Sequence, residues 1–448
     1  MTHSLWGLFA LNALFLAAGL GILVALRPLE SWGEAVRLGG VAYLAGVAAT
    51  TLVAMELVVV GRPPGVLLTT AIALAFAVGG AFVGFRRGHR LPVWRAKPAR
   101  EPLLWLGVAC AALVLIVLEN VFRVARLQGE VGGDSVATWT PRAKIIYFHG
   151  LDAQLWDMAG GQTYPILVPT LQAIDFRFMG AVDTITLHVQ YWLLLVGFVF
   201  AVAGLLRPRV PLALLWPSLL LLLVMPNFDY WALVPQADLP LQYFFVCAAL
   251  CAWLWTVERA PWQLVLLGLF TAATMATKRE GQLLAACLLV AALVITTHSR
   301  RWAWPRLVAV GAAAFVVNLP WRVWFGSKHF TGETPGATLG QLLDHAGRIP
   351  PSLWLLVRLT FGWHDWLLAA PLGAAAAAVA LVWGEKRLGA FFLVLCGLIL
   401  AGFTWILWAV DSLPIEPTDV TPMPRAVGAL VLLSVAFAPL LLASARDR

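Results

Sequence analysis

Charged residues are what this chain has least of. Only 12% of its 448 residues are Asp, Glu, Lys or Arg, while 61% are hydrophobic; soluble globular domains carry about 25% charged residues. That shortage excludes a soluble globular class. Cysteine is scarce as well, and Cys110, Cys247, Cys251, Cys287 and Cys396 all fall inside apolar runs. None lies in a polar connection where an oxidising compartment could pair it. Cys247 and Cys251 share a helix face at i, i+4, but no histidine or third cysteine accompanies them, so they read as packing residues and not as a metal site. His149, His188, His329, His345 and His364 are scattered without ligand spacing. There is no HExxH, no CxxC, no Gly-rich phosphate loop, no internal repeat and no heptad seam. These absences argue against nucleotide chemistry and metal centres.

What the chain does have is apolar runs of about 20 residues, the length that crosses a hydrocarbon core of about 30 Å as a helix. Thirteen can be placed, at about 5–27, 36–60, 64–85, 102–124, 185–206, 210–226, 239–257, 261–277, 281–298, 306–323, 364–384, 388–410 and 426–444. The expected fold is therefore an all-α polytopic membrane protein with about 13 transmembrane helices. The first run has no basic leader and no small-residue cleavage site, so it reads as a retained helix. With Met1 outside, the inward connections hold eighteen of the 31 basic residues and six of the 23 acidic ones. Net charge is then about +12 inside and −4 outside, as the positive-inside rule requires, and the C-terminus is cytoplasmic. The pI of 9.6 follows from this cladding and does not call for a nucleic-acid partner.

Three closely spaced helices fill 1–85. A basic linker with Pro92 and Pro98, 86–101, is expected to lie on anionic membrane lipids, and a second module runs over 102–448. Glu56 is an isolated carboxylate in the second run; it either snorkels outward or makes a structural hydrogen bond.

The longest polar interruption is the outer loop 126–184, which opens on Gly132-Gly133-Asp134-Ser135. Thr140-Pro141 is a helix start, and Trp139, Ala143, Ile146 and Tyr147 recur at helical spacing. A second segment, 164–178, carries Ile166, Leu167, Leu171 and Ile174 against Gln172, Asp175 and Arg177. Both are expected to be amphipathic interfacial helices with the apolar side toward lipid. Other polar outer segments are 227–240, 277–281, 318–322, 326–351 (with Lys328, His329, Glu333, Asp344, His345 and Arg348) and a last turn from Asp411 to Arg425.

If the helices bring Asp134, Asp238, Lys278, Arg279, Arg322 and Arg425 together, the cations can hold a phosphate at the headgroup plane. A neighbouring carboxylate can then take the proton of an attacking hydroxyl. With an ordinary pKa of about 3.9, an aspartate does so only late, once the hydroxyl has been acidified by bonding to carbon. Those parts describe glycosyl transfer from a polyprenyl phosphate sugar.

The residues that carry this chemistry occur in a particular order. It runs Asp134, Trp139, Arg142-Ala143-Lys144, Tyr164-Pro165-Ile166-Leu167-Val168-Pro169, Ala237-Asp238-Leu239-Pro240-Leu241, Lys278-Arg279-Glu280-Gly281 and Pro320-Trp321. This order resembles the GT-C superfamily of membrane glycosyltransferases, in particular the bacterial relatives of dolichyl-phosphate-mannose protein mannosyltransferases and of lipid A aminoarabinose transferases. The resemblance covers roughly residues 100 to 440. It implies a GT-C-like fold in a bacterial cytoplasmic membrane, an active site on the outer face and an inverting transfer with Asp134 as base. Lys278, Arg279, Arg322 and Arg425 would face the donor phosphate. Asp238, Tyr164, Trp139, Glu280, Arg142 and Lys144 would contact substrate. Many members show two adjacent acids in the first loop, whereas Asp134 is followed by Ser135; a lone carboxylate is a poor divalent site, and no cofactor is expected. The acceptor, whether glycan, lipid or protein, stays open.

Each residue also has a structural reading. Asp134 and Asp238 could be helix caps. Lys278 and Arg279 could complement a helix C-terminus, with Glu280 as their ion-pair partner. Arg142, Lys144 and Arg425 could be headgroup contacts, and Tyr164 an interfacial anchor. The competing classes are a transporter or flippase of an amphiphile, and a ligase or polymerase of lipid-linked oligosaccharides. Polar groups gathered at one face instead of the midplane argue against the transporter.

Overall fold

The computed structural model describes residues 2–94, 101, 103–130, 132–296, 301–328, 330, 339–409 and 423–446. Pro98 and the last basic residues of the linker, His329, Glu333 and Asp411 lie outside them. The chain opens with α1 (Thr2–Leu26), α2 (Trp32–Arg37), α3 (Gly39–Val59), α4 (Val66–Arg86) and α5 (Leu104–Ala125). The loop 126–184 contains a π-turn at Ser135–Trp139, α6 (Thr140–His149), α7 (Ala153–Met158) and α8 (Leu167–Met179). Next come α9 (Thr184–Leu206), α10 (Leu212–Val224), α11 (Pro226–Ala232), α12 (Asp238–Glu258), α13 (Pro261–Thr277) and α14 (Arg279–Thr296). The last third holds α15 (Trp304–Val317), α16 (Leu319–Gly326), α17 (Leu339–Asp344), α18 (Ile349–Thr360), α19 (Trp363–Trp366), α20 (Ala369–Trp383), α21 (Lys386–Ala409), α22 (Met423–Ala426) and α23 (Gly428–Arg446).

Among the described residues, 9 of these helices are long and apolar enough to cross a membrane, or up to 11 if two bent pairs are each one span. Helices are the expected form, because a backbone in hydrocarbon must satisfy its N–H and C=O groups internally. The helices α10 and α13 are apolar but shorter. The outer turn expected at 318–322 is a 44° bend between α15 and α16. There the side chain of Asn318 donates back to the Ala314 carbonyl at 2.8 Å and across to the Ala272 carbonyl at 3.2 Å, so the chain continues to Gly326 before it turns.

The three long leading helices, α1, α3 and α4, are joined by the short α2 and pack into the rest of the bundle. Gly46 meets the Phe15 backbone with no room for a Cβ, which lets α1 and α3 close on each other as small residues do in membranes. A buried polar triangle joins them to α9: Tyr43 donates to Asn12 Oδ1 at 2.6 Å, Asn12 to Gln190 Oε1 at 2.7 Å, and Gln190 to Tyr43 at 3.2 Å. Glu56 makes no hydrogen bond through either carboxylate oxygen and lines an apolar cavity with Leu52, Phe76, Leu269 and Pro320, which removes the hydrogen-bond reading.

The loop 126–184 departs most from expectation. The helix α6 begins after the π-turn with Trp139 at its cap and Thr140 inside it; the buried Thr140 hydroxyl has no partner, so it does not cap. The second segment, α8, does not float on lipid. All its residues from Leu167 to Phe176 are buried, because it is packed against α1, α3, α6, α9 and α13. Even its polar side is covered: Gln172 donates to Tyr191 at 2.8 Å and to the Pro235 carbonyl at 3.1 Å. Asp175 is fully buried with no hydrogen bond, and burial pushes its carboxyl well above the usual range. Amphipathic spacing showed that α8 has an apolar face, but a helix enclosed on every side must also bury its other face.

Candidate functional site

Helix connections at one end of the bundle bring five segments together. The hairpin of α13 and α14 supplies Lys278 and Glu280, and is held tight by Gly281, where the Thr274 carbonyl leaves no space for a Cβ. Lys278 breaks the helix in extended conformation (φ −154, ψ 162) and turns its ammonium inward. It lies 2.9 Å from Asp238 Oδ1 and 3.3 Å from Glu280 Oε1. Asp238 is the first residue of α12, with Ala237 at the cap and no side-chain capping bond, so its carboxylate serves the ion pairs. From the far end of the chain, Arg425 in α22 reaches the same carboxylate at 3.5 Å. The same guanidinium donates to Gln236 Oε1 at 3.0 Å and to Asp134 Oδ2. Asp134 precedes the π-turn and makes no capping bond; Arg425 is its partner.

The two aspartates differ in access. The side chain of Asp134 is 46% exposed, whereas those of Asp238 and Lys278 are 5% and 6% exposed. Burial would lower the Lys278 ammonium, yet the Asp238 and Glu280 carboxylates more than reverse this and hold it well above an ordinary lysine. Arg425 behaves alike: burial opposes its charge, and Asp238 and then Asp134 raise it. Asp238 therefore sits between two committed cations as a buried keystone. Asp134 presents a second, solvent-reachable oxygen beside Arg425.

Aromatic residues wall this cluster. Trp139 and Tyr164 stack at 5.4 Å with an 11° interplanar angle, and the Lys278 ammonium lies 5.5 Å from the Tyr164 ring centre. Behind that ring is Arg142, which is fully buried. Its guanidinium stands over Trp156 at 4.4 Å and over Trp139 and Tyr164 at 5.9 Å, and one arm donates to the Gly161 carbonyl. Burial lowers Arg142 below an ordinary arginine and raises Tyr164 above an ordinary tyrosine. An enclosed guanidinium cannot contact headgroups, so the headgroup reading of Arg142 is corrected to a latch under the Gly160–Tyr164 turn. Lys144 is partly exposed on the same helix and joins none of these contacts.

Of the remaining residues marked in the sequence, Arg279 is exposed and donates to Thr163 Oγ1 at 3.3 Å, on the rim of the cluster. Arg322 is not brought in: its guanidinium lies over Phe315 at 5.1 Å. The sequence reading missed Gln236 and Trp231, which lies 5.3 Å under the Arg425 guanidinium; both belong to the polar stretch before Asp238, which was the available signal. An apolar groove of about 650 Å³ runs between α5, α10 and α11, with Gln128, Asn120 and Leu233 at its polar and loop edges.

Among the described residues, no group of three or more His, Cys, Asp or Glu side chains is arranged to hold a metal ion. The two aspartates instead share one guanidinium. Comparison of the chain with protein-family models, with curated proteins and with solved structures finds no match.

Proposed function

We propose that this protein is a GT-C-like membrane glycosyltransferase that moves a sugar from a polyprenyl phosphate donor to an acceptor hydroxyl with inversion. Thirteen spans follow if α10, α13 and the two bent pairs are added to the nine long helices. The observation that carries the proposal is the convergence of Asp134, Asp238, Lys278 and Arg425 from four distant segments into one ion-paired cluster at a single end of the bundle.

In this reading Asp134 is the base, since it is the accessible carboxylate of the two. As the acceptor oxygen bonds to the anomeric carbon, Asp134 takes its proton. The bond from that carbon to the phosphate oxygen breaks on the opposite face, and its electron pair leaves with the polyprenyl phosphate. Arg425 and the exposed Arg279 receive the phosphate charge. Lys278 fixes Asp238, which in turn holds Arg425 in place. The groove beside Leu233 takes the isoprenoid chain, because it is apolar and opens between spans next to the loop that carries Gln236 and Asp238.

The test is release of polyprenyl phosphate from a panel of polyprenyl phosphate monosaccharides in proteoliposomes. Asp134→Asn is expected to lower turnover about 10²- to 10⁴-fold, the usual scale for a lost general base, with insertion and folding retained. Turnover at the unsubstituted rate would overturn the assignment of the base.

A further inference from the structure

The helix α12 begins in the Asp238 cluster and ends at Glu258, about 30 Å away at 1.5 Å per residue. At that far end lies a second polar cavity, of about 270 Å³. Its wall is built by Arg27 after α1, Arg37 at the end of α2, Arg209 between α9 and α10, and Glu258, Trp262 and Gln263 where α12 turns into α13. Leu205 and Leu254 give it an apolar floor.

Three guanidiniums face two carboxylates here, and both carboxylates are already used. Oε1 of Glu34 takes Arg27 and Arg37, the latter at 3.2 Å, while Oε2 accepts the Glu30 amide at 2.9 Å. Glu258 pairs with Arg209 through one oxygen and accepts Gln263 through the other. Arg37 spends one more N–H on the Gly204 carbonyl at 2.5 Å, and Arg27 stacks over Trp262 at 5.0 Å. Each guanidinium carries five N–H donors, so several on each remain for a further acceptor, and one positive charge is left over. Burial lowers Arg37 and Arg209 below an ordinary arginine, and each is lowered further by a neighbouring guanidinium. An anion placed among them would relieve both effects.

We propose that this cavity binds the phosphodiester of an anionic glycerophospholipid. A single negative charge matches the single unbalanced cation. The arginines supply fork-shaped donors that suit phosphate oxygens, and Leu205, Leu254 and Trp262 accept the glycerol and the first chain carbons. Basic pockets between membrane helices recognise headgroups in this way. The site stands independently of the transferase reading, since it shares no residue with the Asp134 cluster.

Binding is measured on the full-length protein in neutral detergent by native mass spectrometry and thermal unfolding, with phosphatidylglycerol, phosphatidylethanolamine and soluble glycerol 3-phosphate as probes. Phosphatidylglycerol is expected to bind and raise the unfolding temperature, and phosphatidylethanolamine, whose ammonium would meet the arginines, to bind more weakly. The R27Q/R37Q double variant should lose about tenfold to thirtyfold in phosphatidylglycerol affinity. Arg37→Lys, which keeps the charge but loses the fork, should fall between the unsubstituted protein and R27Q/R37Q and guards against a folding defect; Asp134→Asn should bind as the unsubstituted protein does. Equal phosphatidylglycerol affinity in the unsubstituted protein and R27Q/R37Q would overturn the site. Glycerol 3-phosphate binding as tightly as the lipid would overturn the lipid as its source.

Discussion

The helix α12 carries an ion-paired carboxylate at each end, Asp238 and Glu258, and the two ends are built differently. At the Asp238 end, the carboxylates Asp134, Asp238 and Glu280 meet the cations Lys278 and Arg425, and the inner pair is nearly sealed from solvent. At the Glu258 end, cations outnumber carboxylates and all are partly exposed. A closed network in which each cation is held by at least two carboxylates fixes geometry, because every cation must stay where its counter-charges are. An open one with a surplus cation leaves capacity for an anionic ligand. The first suits chemistry that needs a carboxylate in one place, and the second suits holding a charged headgroup.

The largest break in this contrast is to take a cation away from the closed end. Lys278→Met leaves Asp238 and Glu280 facing each other without their shared cation, and removal of one partner from a buried pair costs about 3–5 kcal/mol. Unfolding in mixed micelles should show that loss, and Asp238→Leu added to Lys278→Met should restore at least half of it, since the more deeply buried of the two stranded carboxylates is then gone. No recovery in the double variant would mean that Lys278 contributes by packing and not by charge. The pH profile sharpens the point. The folded Lys278 value lies above the ordinary lysine one, so its stabilisation is fully present below about pH 10.4 and fades only as pH rises beyond that toward the folded value. The stability gap between the unsubstituted protein and Lys278→Met should thus stay level from neutral pH to about 10 and narrow above it.

Within the same network Arg425 is the group that touches both aspartates. Under the proposed transfer, Arg425→Gln is expected to lower donor turnover about 10²- to 10³-fold, the scale of one lost electrostatic donor. Arg425→Lys should recover only part, since one guanidinium nitrogen makes all three contacts to Asp134, Gln236 and Asp238 and lysine lacks the further N–H groups left for a phosphate. Full activity in the lysine variant would remove the role of those donors.

The spans were legible in the sequence because a run of 20 apolar residues has one outcome in a membrane. Runs read at 239–257 and 102–124 became Asp238–Glu258 and Leu104–Ala125. The cluster residues were legible too, as polar groups at the ends of those runs. What each side chain would touch was not, because that depends on partners 40 to 300 positions away, as with Lys278 and Asp238 or Arg425 and Asp134. The reading of Arg142 failed for the same reason: an arginine on an amphipathic helix is locally identical whether lipid or Trp156 covers it. The neighbouring Trp139, Gly160-Gly161 and Tyr164 were the signal for an enclosed site. Arg142 also supplies a contrast with Lys278, being buried without a carboxylate. Burying a cation without a counter-charge is costly, and that cost offsets what its contacts over Trp139, Trp156 and Tyr164 contribute. Arg142→Met is therefore expected to change stability by no more than about 1 kcal/mol. It should also loosen the Gly160–Tyr164 turn, visible as faster amide exchange there. A loss as large as that of Lys278→Met would mean that an unseen anion balances Arg142.

The smallest effect is expected at Arg322, and it decides whether sequence position or geometry marks the site. By position Arg322 follows Pro320-Trp321 and looks like a further phosphate cation; by geometry it lies over Phe315 and makes no ion pair with the cluster. Under the proposed transfer, a guanidinium outside the cluster would act on a donor phosphate only through screened, longer-range attraction, worth less than about 1 kcal/mol. Arg322→Gln should accordingly leave donor KM and turnover within about threefold of the unsubstituted protein, with Arg279→Gln falling between it and Arg425→Gln. If Arg322→Gln instead matched Arg425→Gln, the donor would have to draw α16 toward Arg425 on binding, and the phosphate site would extend across the Trp156–Trp321 contact instead of ending at Arg279.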